Sequence, residues 1–194
     1  MAKQLIVMRH GDKAKASNVQ KELGITAEQI TPEGFERARD LGLKLIDTYG
    51  LTTDLFHSHE LRTAQTLLSL MAGGCAGGAR LHGVVNGLFN SRMLEKLDMK
   101  VFGAAMTKGV TNYEATIAAT TPRDLEALCI ECGEAIVEMF IKMTGDVGLA
   151  VSHDPIITLA GERHGWKNPH SLEPLGYLVF TLKDNGEITV TDEG

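Results

Sequence analysis

Four residues in this chain have side chains suited to holding and attacking a multiply charged anion, and each follows a short apolar run. Arg9 and His10 come directly after Leu5-Ile6-Val7-Met8, and Gly11 follows them. Arg62 lies in Ser58-His59-Glu60-Leu61-Arg62-Thr63-Ala64-Gln65-Thr66, which follows Leu55-Phe56. His153 follows Gly148-Leu149-Ala150-Val151-Ser152 and precedes Asp154. Guanidinium is planar, permanently charged and matched to oxyanions through paired hydrogen bonds. A neutral imidazole is a nucleophile, and glycine lets backbone approach a ligand closely. Arginine and histidine at three separate strand exits therefore read as an anion site in which the histidine attacks and the arginines hold.

These residues can act together only if the strands that deliver them end side by side. In open α/β sheets, ligands bind outside the carboxyl ends of the strands. The apolar runs at 3–8, 54–57, 81–85 and 147–152 have the length of buried strands. Helical spacing separates them. Thr31-Pro32-Glu33 is a helix start, with Thr as N-cap, Pro at the first helical position and an acid in the first turn. Phe35, Ala38, Leu41, Leu45 and Ile46 then recur at helical spacing to Tyr49, and Gly50 ends the helix. Further helices are expected over 60–71, from Thr121-Pro122 through Met143, and over 155–163. Tyr177 to Leu182 and Glu187 to Thr191 read as a hairpin around Asp184-Asn185-Gly186. This alternation predicts an α/β fold, a three-layer α/β/α sandwich with a mostly parallel sheet made mixed by the last hairpin. The polar stretch from Asp12 to Gln29 is expected at the site mouth. Residues 84–121 are expected to form a helical insertion or lid within one domain spanning 1–194.

The composition, 43% hydrophobic and 23% charged over 194 residues, is that of an ordinary globular domain. A net charge of −6 argues against broad nucleic-acid affinity, though not against a local cationic pocket. No apolar run reaches the ~18 residues of a membrane span, and Met1-Ala2-Lys3-Gln4 leads straight into a strand, so a cytoplasmic location is expected. Cys75, Cys129 and Cys132 fit a reducing compartment. Cys129-Ile130-Glu131-Cys132 lies inside a helical pattern and reads as two small helix residues. Gly73 to Gly78 lacks the Lys-Ser/Thr ending of a nucleotide-binding loop. His57 and His59 flank Ser58 without an evident third ligand, so neither a metal nor a cofactor is expected.

Arg9-His10-Gly11, the Ser58 to Thr66 segment and Ser152-His153, in this order over most of the chain, resemble the histidine phosphatase superfamily, also called phosphoglycerate mutase-like. The resemblance implies the phosphoglycerate mutase-like fold and phosphoryl chemistry without a metal ion. Phosphate monoesters are very stable in water, so a catalyst must neutralise charge and supply a nucleophile. His10 would attack phosphorus through one ring nitrogen while a backbone carbonyl or polar neighbour pins the other. Water would then release phosphate from the phosphohistidine. Arg9 and Arg62 would clamp the phosphoryl oxygens. His153 would be a third donor, most useful when protonated, its charge favouring a neutral His10. Gln65 and Thr66 resemble a helix-packing part of the pattern. His59, Thr63 and Asp12-Lys13 depart from the common forms at the site rim, where they bear on substrate choice.

The leaving alcohol also needs a proton. Mutase-like members carry a glutamate after the third strand, where Leu94-Glu95-Lys96 falls; acid-phosphatase-like members use an aspartate right after the second histidine, the position of Asp154. The shortness of the chain favours Glu95 over Asp154, with Asp98 or no dedicated acid as further options. The leading function is hydrolysis of a phosphomonoester, with a small phosphorylated molecule or a phosphoprotein as partner and phosphate as product. A protein phosphohistidine phosphatase, a phosphoglycerate mutase and a non-catalytic module that binds phosphorylated ligands follow in that order.

Overall fold

The computed structural model describes residues 2–14, 28–85 and 91–194, with backbone alone at 91 and 92. Much of the polar stretch expected at the site mouth, residues 15–27, lies outside the described residues, as does 86–90. Among the described residues six strands form one sheet: β1 (Lys3–Arg9), β2 (Asp54–His57), β3 (Arg80–Val84), β4 (Val147–Ser152), β5 (Tyr177–Leu182) and β6 (Ile188–Glu193), in the order β3-β2-β4-β1-β5-β6. The pairs β1–β4, β2–β4 and β2–β3 are parallel, whereas β1–β5 and β5–β6 are antiparallel. The sheet is therefore mixed, and the C-terminal hairpin is what makes it so.

Strand alternation divides the core in two. Leu5 and Val7 point to one face with Phe56, Ala150 and Phe180; Ile6 and Met8 point to the other with Leu55, Leu149 and Val151. Helices α1 (Pro32–Tyr49) and α2 (Leu61–Ala72) cover the second face through Ala38, Leu45, Leu67 and Leu70. Helices α6 (Pro122–Lys142) and α7 (Asp154–Arg163) cover the first through Leu128, Ile136, Met139 and Ile157. Both layers are needed because the parallel strands are apolar on both sides. Burying a side chain the size of Phe56 or Met139 contributes about 1.5–3 kcal/mol relative to leaving it in water.

The local signals act as read. Thr31 Oγ1 accepts the Gly34 N–H at 2.9 Å, Pro32 occupies the first turn, and Gly50 ends α1 with φ of 84°. Thr121 caps α6 in the same way, through the Asp124 N–H at 3.2 Å. Among the described residues between β3 and α6 are three short helices, α3 (Ser91–Lys96), α4 (Met99–Thr107) and α5 (Asn112–Ala118). Asp98 caps α4, and Thr111 with Glu114 forms a capping box on α5. Cys129 and Cys132 are free thiols, both pushed up by burial, Cys129 to about 11. Among the described residues no helix is long and apolar enough to cross a membrane.

Candidate active site

Register brings the proposed residues to one rim. Arg9 of β1 lies opposite Ser152 of β4, and His57 of β2 lies opposite Val151. The ladder continues one step past the strand ends, with the His10 N–H on the Ser152 carbonyl and the Ser58 N–H on the Val151 carbonyl, both at 3.1 Å. His10, His153 and Ser58 therefore leave three adjacent strands together, and Arg62 enters from the first turn of α2. The His10 and His153 rings meet edge to face with centroids 5.2 Å apart. Arg9, His10, Arg62, His153 and Asp154 all line one cavity of about 350 Å³.

His10 Nδ1 is 2.7 Å from the Gly11 carbonyl oxygen. A carbonyl only accepts, so Nδ1 carries the proton and Nε2 keeps its lone pair. The turn that sets this ring is itself fixed: the Gly11 N–H donates to Thr66 Oγ1 at 3.0 Å, and Thr66 Oγ1 donates to the Arg62 carbonyl at 2.8 Å. Thr66 thus ties the His10-Gly11 turn to the helix that carries Arg62. Its place in the sequence, four residues after Arg62 on the same helix face, is the signal that could have marked it as more than packing.

Burial is the largest cause of a lowered His10 pKa, to about 4; the Gly11 hydrogen bond opposes it, and Arg62, Arg9 and Lys13 add to it. His10 is neutral at pH 7. His153 is lowered further, to about 2, by burial first and then by Arg62 and His10. Burial and the neighbouring cations thus favour a neutral His153 here, whereas the sequence reading has it donate best when protonated. Its ring is 3.0 Å from Ser58 Oγ through Nε2 and 3.4 Å from Arg62 Nη2 through Nδ1. Arginine only donates, so Nδ1 accepts and Nε2 carries the proton toward Ser58.

The arginines are held at their tips. Arg9 Nη1 donates to the Leu172 carbonyl. Arg62 Nη1 donates to Glu28 at 2.7 Å and to Glu60 at 3.2 Å. The Nε atoms of Arg9 and Arg62 are buried and have no hydrogen-bond partner among the described residues. An unsatisfied buried donor on a charged group is costly.

The two candidate acids are placed differently. Glu95 is exposed on α3 and does not line the cavity, although its neighbours Met93 and Leu94 do. Asp154 is 2% exposed, opens α7 and lines the cavity. Its carboxyl accepts from the Leu172 N–H at 2.6 Å and from Ser171 Oγ at 2.8 Å. Burial raises its pKa, against the lowering effect of those bonds and of Arg9. Asp98 caps α4 by accepting from the Lys100 and Val101 N–H groups and is exposed. The segment 171–176 also fixes Arg9: the Arg9 N–H donates to the Gly176 carbonyl at 2.9 Å, and the Leu175 N–H to the Arg9 carbonyl at 3.2 Å. Leu175 holds φ of 70° to do so, a left-handed conformation that costs a branched side chain about 1–2 kcal/mol.

His57 is engaged through Nδ1 with the Ser58 carbonyl at 2.5 Å, and His59 is exposed. Among the described residues no group of three or more His, Cys, Asp or Glu is arranged to hold a metal ion.

No family model matches the sequence, and no curated protein matches it by sequence. Solved structures do match in fold. Phosphoglycerate mutase from Bacillus anthracis aligns over 98% of this chain and 92% of its own, with 17% identity and a TM-score of 0.67. Phosphoserine phosphatase from Entamoeba histolytica, solved with 3-phosphoglyceric acid, aligns over 99% and 96%, with 17% identity and a TM-score of 0.63. The protein histidine phosphatase SixA, solved with tungstate, aligns over 98% and 95%, with 18% identity and a TM-score of 0.59. The fold of this chain is the one these structures share, phosphoglycerate mutase-like.

Proposed function

We propose that this protein is a phosphoric monoester hydrolase that works through a phosphohistidine on His10. The observation that carries the reading is the His10 Nδ1 contact with the Gly11 carbonyl, which leaves Nε2 as a free lone pair in a cavity lined by both arginines. In the first step Nε2 attacks phosphorus and the bond from phosphorus to the ester oxygen breaks. Asp154, protonated, gives its proton to the departing alcohol. In the second step water attacks phosphorus, the bond from Nε2 to phosphorus breaks, and the Asp154 carboxylate takes the water's proton. Phosphate leaves, and His10 returns to its neutral tautomer.

Arg9 and Arg62 neutralise the transferring phosphoryl group through their guanidinium charge and the terminal N–H groups their present partners release. Neutral His153 keeps Arg62 oriented through Nδ1 and is itself fixed by Ser58. These groups supply the nucleophile, the charge neutralisation and the proton, so the scheme uses no metal ion. Asp154 favours an ester over phosphohistidine as substrate: an imidazole leaves with little help, whereas an alkoxide needs a proton. The partners that follow are a small phosphorylated molecule, and phosphate as product.

The test is phosphate release from p-nitrophenyl phosphate in the presence of a chelator. His10→Ala should lose turnover by orders of magnitude, and Arg62→Ala by about 10²–10³, the loss seen when one donor to a developing charge is removed. Near-wild-type turnover in either well-folded variant would overturn the reading.

A further inference from the structure

The cavity has two unlike walls. On one side stand Arg9, His10, Arg62 and His153. The other is built by the segment between β3 and α6, where Met93, Leu94, Leu97 and Phe102 face the phosphoryl pocket. Among the described lining residues of that segment, Asn112 is the single polar one. Met93 and Leu97 are buried, and Phe102 packs on the core cluster beneath them, so the wall is a fixed part of the fold. The apolar surface continues outward. Met99 and Met106 lie one turn either side of Phe102 on the same face of α4 and are 51% and 38% exposed. No residue of α4 is buried, although the helix is rich in apolar side chains.

Charge limits what this wall accepts. The described cationic side chains lining the cavity are Arg9, Arg62 and Lys13. In the reading above both arginines are committed to the phosphoryl group, and Lys13, which pairs with Glu28 at 3.1 Å, is an exposed side chain apart from the apolar wall. A leaving-group carboxylate placed against Met93, Leu97 and Phe102 would find no partner among these three side chains, which is strongly unfavourable. An alkyl or aryl chain in the same place would shed water from its own surface and from the wall. The cavity lies at the small end of the range for small-molecule sites, which suits a chain of a few carbons continuing along the thioethers of α4, whose flexibility adapts to irregular apolar shapes.

Resting on the phosphatase reading, we infer that the natural substrate is a phosphomonoester of an uncharged, apolar alcohol, selected by the wall formed by Met93, Leu97 and Phe102. Simple alkyl esters test this without confusion from leaving-group acidity. The full-length protein is assayed with methyl phosphate, n-hexyl phosphate and phosphoserine, using p-nitrophenyl phosphate as an activated ester. The expected order in kcat/KM is hexyl above methyl by tenfold or more, the scale of discrimination that added methylenes give in an apolar pocket, with phosphoserine below hexyl by at least as much. Phe102→Ala should erase most of the hexyl advantage, mainly through KM. Equal rates for hexyl and methyl phosphate, or a preference for phosphoserine, would overturn this inference while leaving the phosphatase reading intact. No turnover of any ester, including the activated one, by the folded protein would overturn both.

Discussion

Exchanging Asp154 for asparagine separates the two acids and distinguishes proton transfer from positioning. The side chain keeps its size, and the amide oxygen can still accept from the Leu172 N–H now at 2.6 Å. Ser171 Oγ, now donating at 2.8 Å, can turn to accept from the amide. Both hydrogen bonds persist between neutral groups, but with an amide in place of the protonated carboxyl and one bond reversed, each is weakened by up to about 1 kcal/mol. The net cost is about 1–2 kcal/mol, or about 2–8 °C in Tm for a chain of this size, so the variant should fold. The proton, however, is gone. For hexyl phosphate, whose leaving alkoxide needs one, kcat should fall by about 10²–10⁴. For p-nitrophenyl phosphate, whose leaving phenolate does not, the fall should stay within about tenfold, the residue that remains being the less favourable activation of water. Glu95→Gln, on an exposed face outside the cavity, should leave both esters unchanged. The assay is steady-state phosphate release on both esters for each protein, with Tm measured alongside. Equal loss on the two esters would refute the acid role and make Asp154 a positioning residue that holds Arg9 through Leu172. A selective loss in Glu95→Gln would return the proton to Glu95.

Two further outcomes follow from the charges. Because His10 is lowered to about 4, kcat/KM should hold as pH falls from neutrality and drop only as the imidazole protonates near and below that value; Asp154, raised by burial, should impose the opposite limb, with activity falling as pH rises through its titration. An acidic limb near the ordinary imidazole value of about 6.5 in a pH series of kcat/KM would contradict the buried, cation-flanked His10. At the far end of β2, Asp54 accepts from His82 at 2.7 Å and from the Gly145 and Thr144 N–H groups at 2.9 and 3.1 Å, so Asp54→Ala should cost about 2–4 kcal/mol. The hydrogen bonds hold this carboxyl below its usual range despite burial, which acts the other way; its contribution is therefore complete above the ordinary carboxylate pKa and is lost as pH falls below it. Denaturant unfolding of both proteins at neutral and acid pH checks this, and a variant as stable as wild type at neutral pH would contradict it.

The local chain carried a large part of the architecture. An apolar run that stops at Arg9-His10-Gly11 can end only at a strand exit, and Thr31-Pro32 or Thr121-Pro122 can begin only a helix, because capping and fixed φ act within a few residues. That is why β1, α1, β2, β4 and α6 lie close to where spacing put them, and why His10, Arg9, Arg62 and His153 could be named before any contact was known. Everything that depends on which elements meet was decided by tertiary structure. Glu95 and Asp154 are both carboxyls near family positions, yet the rotation of α3 turns one outward, and α7, starting at the rim, buries the other. His153 is neutral because the sheet and α2 enclose it beside Arg62, a sum of burial and charge that no neighbour in sequence reveals. Thr66 and Leu172 hold Gly11 and Arg9 from 55 and 163 residues away, and the apolar wall exists only because α3 and α4 fold back over the strand ends. Periodicity fixes where a side chain sits on its own element; the partners, the dielectric and the proton affinity belong to the packed whole.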